Sequence, residues 1–325
     1  MRASRRKFLR LAGGAAALPA MLRIAIAQTY PTRPVRVIVP YAPGGTDVFA
    51  RLVAQKLSGR FGKQFYVDNI VGASGNIGTG QAARAAPDGH TLLVVFTTFA
   101  INPAFFDKVP YDPSRDFEAV TLAVSQTTVL FVNSSVPANT VKELVALIRA
   151  NPGKYNFASP GVGTTAHLLG EQFRLSLGLD LVHVPFTGLG PQTASLVAGH
   201  TPISFGGLAS AEQHIKDGRL RVIAIAGKRR SRLLPDVPTM AEAGYPDFEA
   251  DSWVGVLVPA GTPKGIIAML NREIVKIITV PEMQERLAGL GYEALGTTPE
   301  EFSTRIKLET EKWARVIREA NIKPK

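Results

Sequence analysis

Val35-Arg36-Val37-Ile38-Val39-Pro40-Tyr41-Ala42-Pro43-Gly44-Gly45-Thr46-Asp47 opens as an apolar run and ends in a glycine pair. Over 46–57, Val48, Phe49, Leu52 and Val53 recur at helical spacing. The stretch reads as strand, tight loop, helix. Outward from it, 64–67 reads as a second strand, 76–84 as a second helix and 91–96 as a third strand. Such alternation builds a mostly parallel sheet covered by helices. It restarts with a helix at 141–150, a strand at 156–158, a helix at 164–177 and a strand at 182–185. A helix at 191–197 and strands at 203–205 and 222–226 follow.

Two α/β units with no Gly/Ser-rich linker between them imply two closely joined lobes. The strand at 253–258 and the helical patterns at 263–278 and 299–320 have no third core of their own, so they are expected to return to the first lobe. That requires crossovers near 125–130 and 245–252. The expected division is 28–127 plus 249–325 for the first lobe and 128–248 for the second. Capping boxes at Thr140/Glu143, Thr239/Glu242 and Thr298/Glu301 are each expected to open a helix.

The first residues set a compartment. Arg5-Arg6-Lys7-Phe8-Leu9 precedes an apolar, Ala-rich stretch and then Ala25-Ile26-Ala27. This has the form of a twin-arginine export signal with a small-x-small cleavage site before Gln28. The stretch is shorter than the roughly 20 apolar residues that span a bilayer. The expected mature protein is periplasmic. Six basic residues lie before Gln28, leaving +5 of the formal charge of +11. No basic run is interleaved with aromatics, so a nucleic-acid partner is not expected. With no cysteine, disulfides and thiolate chemistry are excluded. A composition of 46% hydrophobic and 19% charged residues is that of a globular chain and not a disordered one.

Four glycine-rich loops carry the functional signal: 41–47, 72–78, 159–165 and 185–191. Each leads from the carboxyl end of a strand to a helix N-terminus, where free N–H groups and the helix dipole favour an anion. Glycine allows close approach to the backbone. Gly44, Gly45 and Thr46 are the candidates in the first loop, and Gly75 and Asn76 in the second. Ser159, Gly163 and Thr164 are those of the third, with Thr164 expected to donate its hydroxyl, and Thr187 and Gly188 those of the fourth. Asp47 reads as a helix cap, since a carboxylate would repel an anion.

Rival chemistries lack their signatures. Gly72-x-x-Gly75-x-x-Gly78 partly matches a dinucleotide fingerprint, but its strand is short and polar and no acidic residue follows at the right distance. No Gly-x-Ser-x-Gly elbow and no phosphate loop of the Gly-Lys-Ser/Thr type occur. The five histidines form no His-x-x-x-His pair. No motif calls for a cofactor or a metal.

Taken in order, several motifs resemble the extracytoplasmic receptors of tripartite tricarboxylate transporters, the Bug or TctC family. They are Pro43-Gly44-Gly45-Thr46-Asp47 with Ala50-Arg51, Asn69-x-x-Gly72-Ala73-x-Gly75-Asn76-Ile77-Gly78, and Ala85-Ala86-Pro87-Asp88-Gly89. Ser159-x-Gly161-x-Gly163-Thr164 with His167-Leu168, Pro235-Asp236-Val237-Pro238-Thr239 with Ala241-Glu242-Ala243-Gly244, Trp253 and Pro259-Ala260-Gly261-Thr262-Pro263 complete the set. The resemblance implies a two-lobed periplasmic-binding-protein-like α/β fold of type II kind, with a small organic carboxylate held between the lobes. It implies membrane transporter subunits as partners, a monomer, and no catalysis. It adds Thr97 and Thr98 to the cleft, and Gly207 at the end of a second-lobe strand. The family often has Phe-Asp where this chain has Phe205-Gly206-Gly207, and Lys or Arg where it has Thr187. Without that aspartate a ligand ammonium would lack a partner, so a neutral or aromatic carboxylic acid is expected in preference to an amino acid. An exported enzyme acting on a carboxylate or ester, and a two-lobed sensor for a membrane kinase, are the alternative readings.

Overall fold

The computed structural model describes residues 30–231, 234–319 and 321–322. The expected export signal and its cleavage site lie outside them. In chain order the elements are β1 (Val35–Val39), α1 (Gly45–Phe61), β2 (Phe65–Asn69), α2 (Asn76–Ala83), β3 (Thr91–Phe96), α3 (Thr98–Phe105), β4 (Phe117–Gln126) and β5 (Thr128–Asn133). Next come α4 (Val141–Ala150), β6 (Tyr155–Ser159), α5 (Thr165–Ser176), β7 (Leu181–Pro185), α6 (Leu189–Val197), β8 (Ile203–Gly207), α7 (Glu212–Lys216) and β9 (Leu220–Ile225). β10 (Ser252–Pro259), α8 (Lys264–Thr279), α9 (Pro281–Gly289), β11 (Glu293–Ala294) and α10 (Pro299–Glu319) end the chain.

The strands form two sheets. The first has the order β11-β4-β10-β3-β1-β2 and the second β7-β6-β8-β5-β9. β1 pairs in parallel with β2 and β3, and β6 with β7 and β8. These are the βαβ units read from the sequence. β10 enters the first sheet antiparallel between β3 and β4. The chain passes directly from β4 in the first sheet to β5 in the second, and returns between β9 and β10. The fold is α/β, two sheets flanked by helices.

Six elements lie where the sequence pattern marks none: α3, β4, β5, α7, α9 and β11. β5 is buried along its whole length and β4 over most of it. A strand buried on both faces is a continuous apolar run without alternation. α3 has the same difficulty, with six of its eight residues buried and Pro103 inside it. Of the capping boxes, Thr298/Glu301 closes reciprocally at 2.9 and 3.2 Å and opens α10. At α4, Thr140 caps the Glu143 amide, while the Glu143 carboxylate reaches Asn139 instead. The Thr239/Glu242 box also closes, at 2.8 and 3.1 Å, but it holds a turn rather than a helix. Gly244, at φ +91°, and Pro246 stop propagation there.

α8 and α9 return to the first sheet, burying Ile267, Leu270, Ile274, Ile278, Met283 and Leu287 with β1 and β3 residues. α10 departs from the expected return. Phe302 and Ile306 join a first-sheet core with Trp253 and Phe99. Two to three turns later, Trp313, Val316 and Ile317 lie in the second-sheet core with Leu130, Phe157 and Phe173. α3 divides in the same way, Phe99 and Ala100 on one core and Ile101 and Phe105 on the other.

Candidate functional site

The two parallel strand sets direct their carboxyl ends at one another. The contact that shows this is buried: Thr97, just past β3, and Thr165, the first residue of α5, place their hydroxyl oxygens 3.0 Å apart. Ligands of open α/β sheets lie outside such ends.

On the first-sheet side, α1 starts at Gly44 with no side-chain cap. Val48 N–H is the first to return, to Gly44 O at 2.8 Å. The amides before it have no intrahelical acceptor. Gly44 and Gly45 are exposed and Thr46 half-buried. A Cβ on Gly45 would lie 2.8 Å from the Tyr292 hydroxyl. Asp47 is not the cap. It sits in the first turn, 4% exposed, and accepts from Arg51 Nε at 3.0 Å and Asn69 Nδ2 at 2.9 Å. Its charge is thereby neutralised inside the loop.

The second loop is strained. Ala73, Ser74 and Gly75 have φ of 48°, 54° and 94°, a left-handed run in which the two non-glycine residues each cost about 1–2 kcal/mol. The amides that leave it return to the loop's own carbonyls, Gly75 and Ile77 N–H to Gly72 O at 3.0 and 3.5 Å. Gly75 lies beneath the Tyr41 ring, 2.9 Å from where a Cβ would be. Tyr41 Oη accepts from Phe96 N–H at 3.1 Å and shares a 2.7 Å hydrogen bond with Thr98 Oγ1. Burial pushes its phenol up to about 12, so it remains neutral. Asn76, buried, accepts from Asn102 Nδ2 at 2.8 Å through Oδ1.

On the second-sheet side, the third loop turns its polar groups inward. Ser159, wholly buried, has Oγ 2.7 Å from His183 Nε2 and 3.1 Å from Gly161 O. Gly163 N–H donates to His167 Nδ1 at 3.1 Å. Thr164 donates its hydroxyl to Gly161 O at 2.7 Å and caps α5 by accepting from His167 N. The expected donation from Thr164 to a ligand is therefore not what this geometry offers. The first amides of α5, at Thr165 and Ala166, have no intrahelical acceptor. The fourth loop is pinned to the third through Phe186 N–H to Ser159 O and Gly188 N–H to Pro160 O, both 2.9 Å. Thr187 is exposed, and α6 starts at Gly188 without a side-chain cap. Gly207 is buried beneath Gln126, whose amide would lie 2.5–2.8 Å from a Cβ there.

Among the described residues, His167, Glu171 and His183 form a buried group of metal-ligand composition. The hydrogen bonding speaks against a metal. His167 Nδ1 accepts the Gly163 amide, so the neutral ring carries its proton on Nε2, and a protonated nitrogen is not a ligand. The two imidazoles also stack, 4.2 Å between centroids, which keeps their in-plane lone pairs from converging. The group is the polar floor beneath the third loop, with Glu171 paired to Arg174 at 2.6 Å.

Tyr41, Asn102, Gln126 and Tyr292 are among the neighbours of candidate residues that sequence reasoning did not single out. Tyr41 stood in the quoted stretch, but its role depends on Thr98 and Gly75. Asn102 and Gln126 carry no local signal.

A two-lobed arrangement with uncapped helix N-termini at a shared cleft is that of a solute-binding protein, and comparison with known proteins agrees. The chain belongs to the family described as "Tripartite tricarboxylate transporter family receptor", matched over residues 49–322. It is 37% identical to protein BugT of Bordetella pertussis over 302 residues, 92% of this chain and 93% of that protein. A protein from R. palustris determined with adipate has a TM-score of 0.81 at 30% identity, covering 91% of this chain and 100% of the other. MatC from Rhodopseudomonas palustris with bound malate has a TM-score of 0.78 at 30% identity, covering 89% and 100%. The periplasmic binding protein BugD has a TM-score of 0.78 at 32% identity, covering 91% and 100%. Membership of this family makes the chain a binding receptor and not an enzyme.

Proposed function

We propose that the protein is a periplasmic receptor that captures a small organic carboxylate between its lobes and delivers it to the membrane subunits of a tripartite tricarboxylate-type transporter. The observation that carries this reading is the Thr97–Thr165 contact, which sets the glycine-rich loops of both sheets around one cleft. Uncapped N-termini of α1 and α6 and the first amides of α5 supply donors there, and Asp47, the carboxylate of the first loop, is paired with Arg51. Relatives solved with adipate and malate support the ligand class. The periplasmic relative BugD and the export signal read from Arg5 to Ala27 support the compartment.

In this reading the receptor acts as a monomer with its signal removed near Gln28. Its lobes are 28–127 plus 249–325 and 128–248, and the binding residues are Gly44, Gly45, Thr46, Gly75, Asn76, Thr97, Thr98, Ser159, Gly163, Thr164, Thr187, Gly188 and Gly207. Thr164 serves as a cap, and the α5 amides make the contact. Gly206 offers no charge to an ammonium, which favours a ligand with an uncharged body behind its carboxylate. A thermal-shift screen over mono-, di- and tricarboxylic, aromatic and amino acids tests this. A ligand at 100 times its Kd should add about 2.7 kcal/mol of stability. A screen in which only amino acids shift the transition would sink the specificity, and one in which no carboxylate does would sink the ligand class.

A further inference from the structure

We propose that Asn102 is a positioning residue for the binding site: it fixes which way the Asn76 amide faces and so makes Asn76 a hydrogen-bond donor toward the cleft. The proposal rests on the carboxylate reading above. Asn102, on α3, is 1% exposed. Its Nδ2 lies 2.9 Å from Ser74 O and 2.8 Å from Asn76 Oδ1. A side-chain amide can be turned over, exchanging oxygen for nitrogen, and only its partners decide between the two placements. Here the deciding partner is the Ser74 carbonyl, which accepts and never donates. Turned over, Asn102 would set its oxygen against that carbonyl. It must therefore present its NH2 group, and both hydrogens are then engaged.

Asn76 has to answer with its oxygen, so its own NH2 faces away from Asn102. Asn76 is the first residue of α2 and follows the left-handed run at 73–75, at the carboxyl edge of the first sheet. The backbone amides of Gly75, Asn76 and Ile77 already donate to Gly72 O and Ala73 O, so the Asn76 NH2 is the donor this turn has left to offer a ligand. Such a donor takes a carboxylate oxygen and repels an ammonium. Asn102 also holds the strained Ser74 carbonyl in place, so one amide sets both the loop and the polarity of the residue after it.

The test is a double-mutant cycle read by titration calorimetry, with adipate as probe and L-malate where adipate gives no heat. Asn76→Ala and Asn102→Ala should each weaken binding by about tenfold or more. The two losses should be strongly sub-additive, the double variant falling well short of their product, because most of the Asn102 loss runs through Asn76. Unchanged affinity in Asn102→Ala, or losses that multiply in the double variant, would overturn the proposal. Should Asn102→Ala not fold, Asn102→Asp keeps the volume, removes both donations and enters the same cycle. If the wild-type protein binds neither probe, it is the carboxylate reading that is in trouble. The positioning role is then read without ligand, from 15N relaxation of the Asn76 side-chain amide. That amide should be ordered in the wild type and mobile in the Asn102 variant, and equal order in both would overturn the role.

Discussion

The Thr164 hydroxyl has one hydrogen to give, and the Gly161 carbonyl 2.7 Å away receives it. Its lone pair takes the His167 amide. Thr164→Ala should therefore cost about 1 kcal/mol of stability through the lost cap, seen as a lower thermal midpoint in ligand-free protein. Any loss of affinity should follow from disorder in the first turn of α5 and not from a missing hydroxyl contact, so Thr164→Ser should restore both. Gly206 is the opposite case, a residue defined by what it lacks. A Cβ there would meet Phe131 at 3.4 Å and Gln192 at 3.7 Å, so a side chain can be accommodated. Gly206→Asp should lower the thermal midpoint by burying a carboxylate and shift selectivity toward α-amino acids, whose ammonium would then have a partner. Competition binding that leaves amino acids as weak as before would show that this position does not face the ligand.

At the scale of the element, legibility followed the kind of burial. α1, α4 and α10 bury one face, and their periodicity places them within a few residues. The glycine-rich loops were equally visible, since turn chemistry is local. β4, β5 and α3 were not, because elements buried on both sides lose the alternation that marks an element. α3 matters most to the site: it carries Thr97 at its start, Asn102 in its middle and Phe105 near its end, where the ring lies 3.3 Å from the Cβ position of Gly163. Asp251, just before β10, is a charged group on the return between the sheets. Burial pushes its carboxyl up to about 6, Arg305 and Lys312 pulling it down and Glu249 and Glu309 raising it. Because the folded value lies above the unfolded 3.8, the folded state holds the extra proton between them. The associated stability is fully present below about pH 3.8 and is lost as pH rises through about 6. Asp251→Asn should therefore gain on the wild type between those values and stay more stable above pH 6, which thermal melts across pH 4–8 would measure.

For the whole molecule, α3 and α10 bind the two sheets into one unit besides the two chain crossings. Trp313, 1% exposed, packs in the second-sheet core while its Nε1–H donates to Glu309 at 2.7 Å. Trp313→Ala should cost about 3–5 kcal/mol. Calorimetry should show one transition moved to lower temperature, because a helix shared by both cores couples their unfolding. Two separated transitions would mean that the sheets unfold independently and that α10 does not couple them.

The amino-acid sequence by itself determined the βαβ alternation, the two-sheet α/β class, the glycine-rich turns and the family. All of these rest on residue spacing over a few turns or on motifs in a fixed order. Tertiary structure decided where protons and side chains point within the site. It engaged the Thr164 and Ser159 hydroxyls internally, paired Asp47, tied the Asn76 side chain to Asn102 and gave α3 and α10 to both cores. The contacts responsible join residues far apart in the chain, such as Asn76 with Asn102 across 26 positions and Thr97 with Thr165 across 68. A hydrogen bond is decided by the partner within about 3 Å, and no local pattern names that partner.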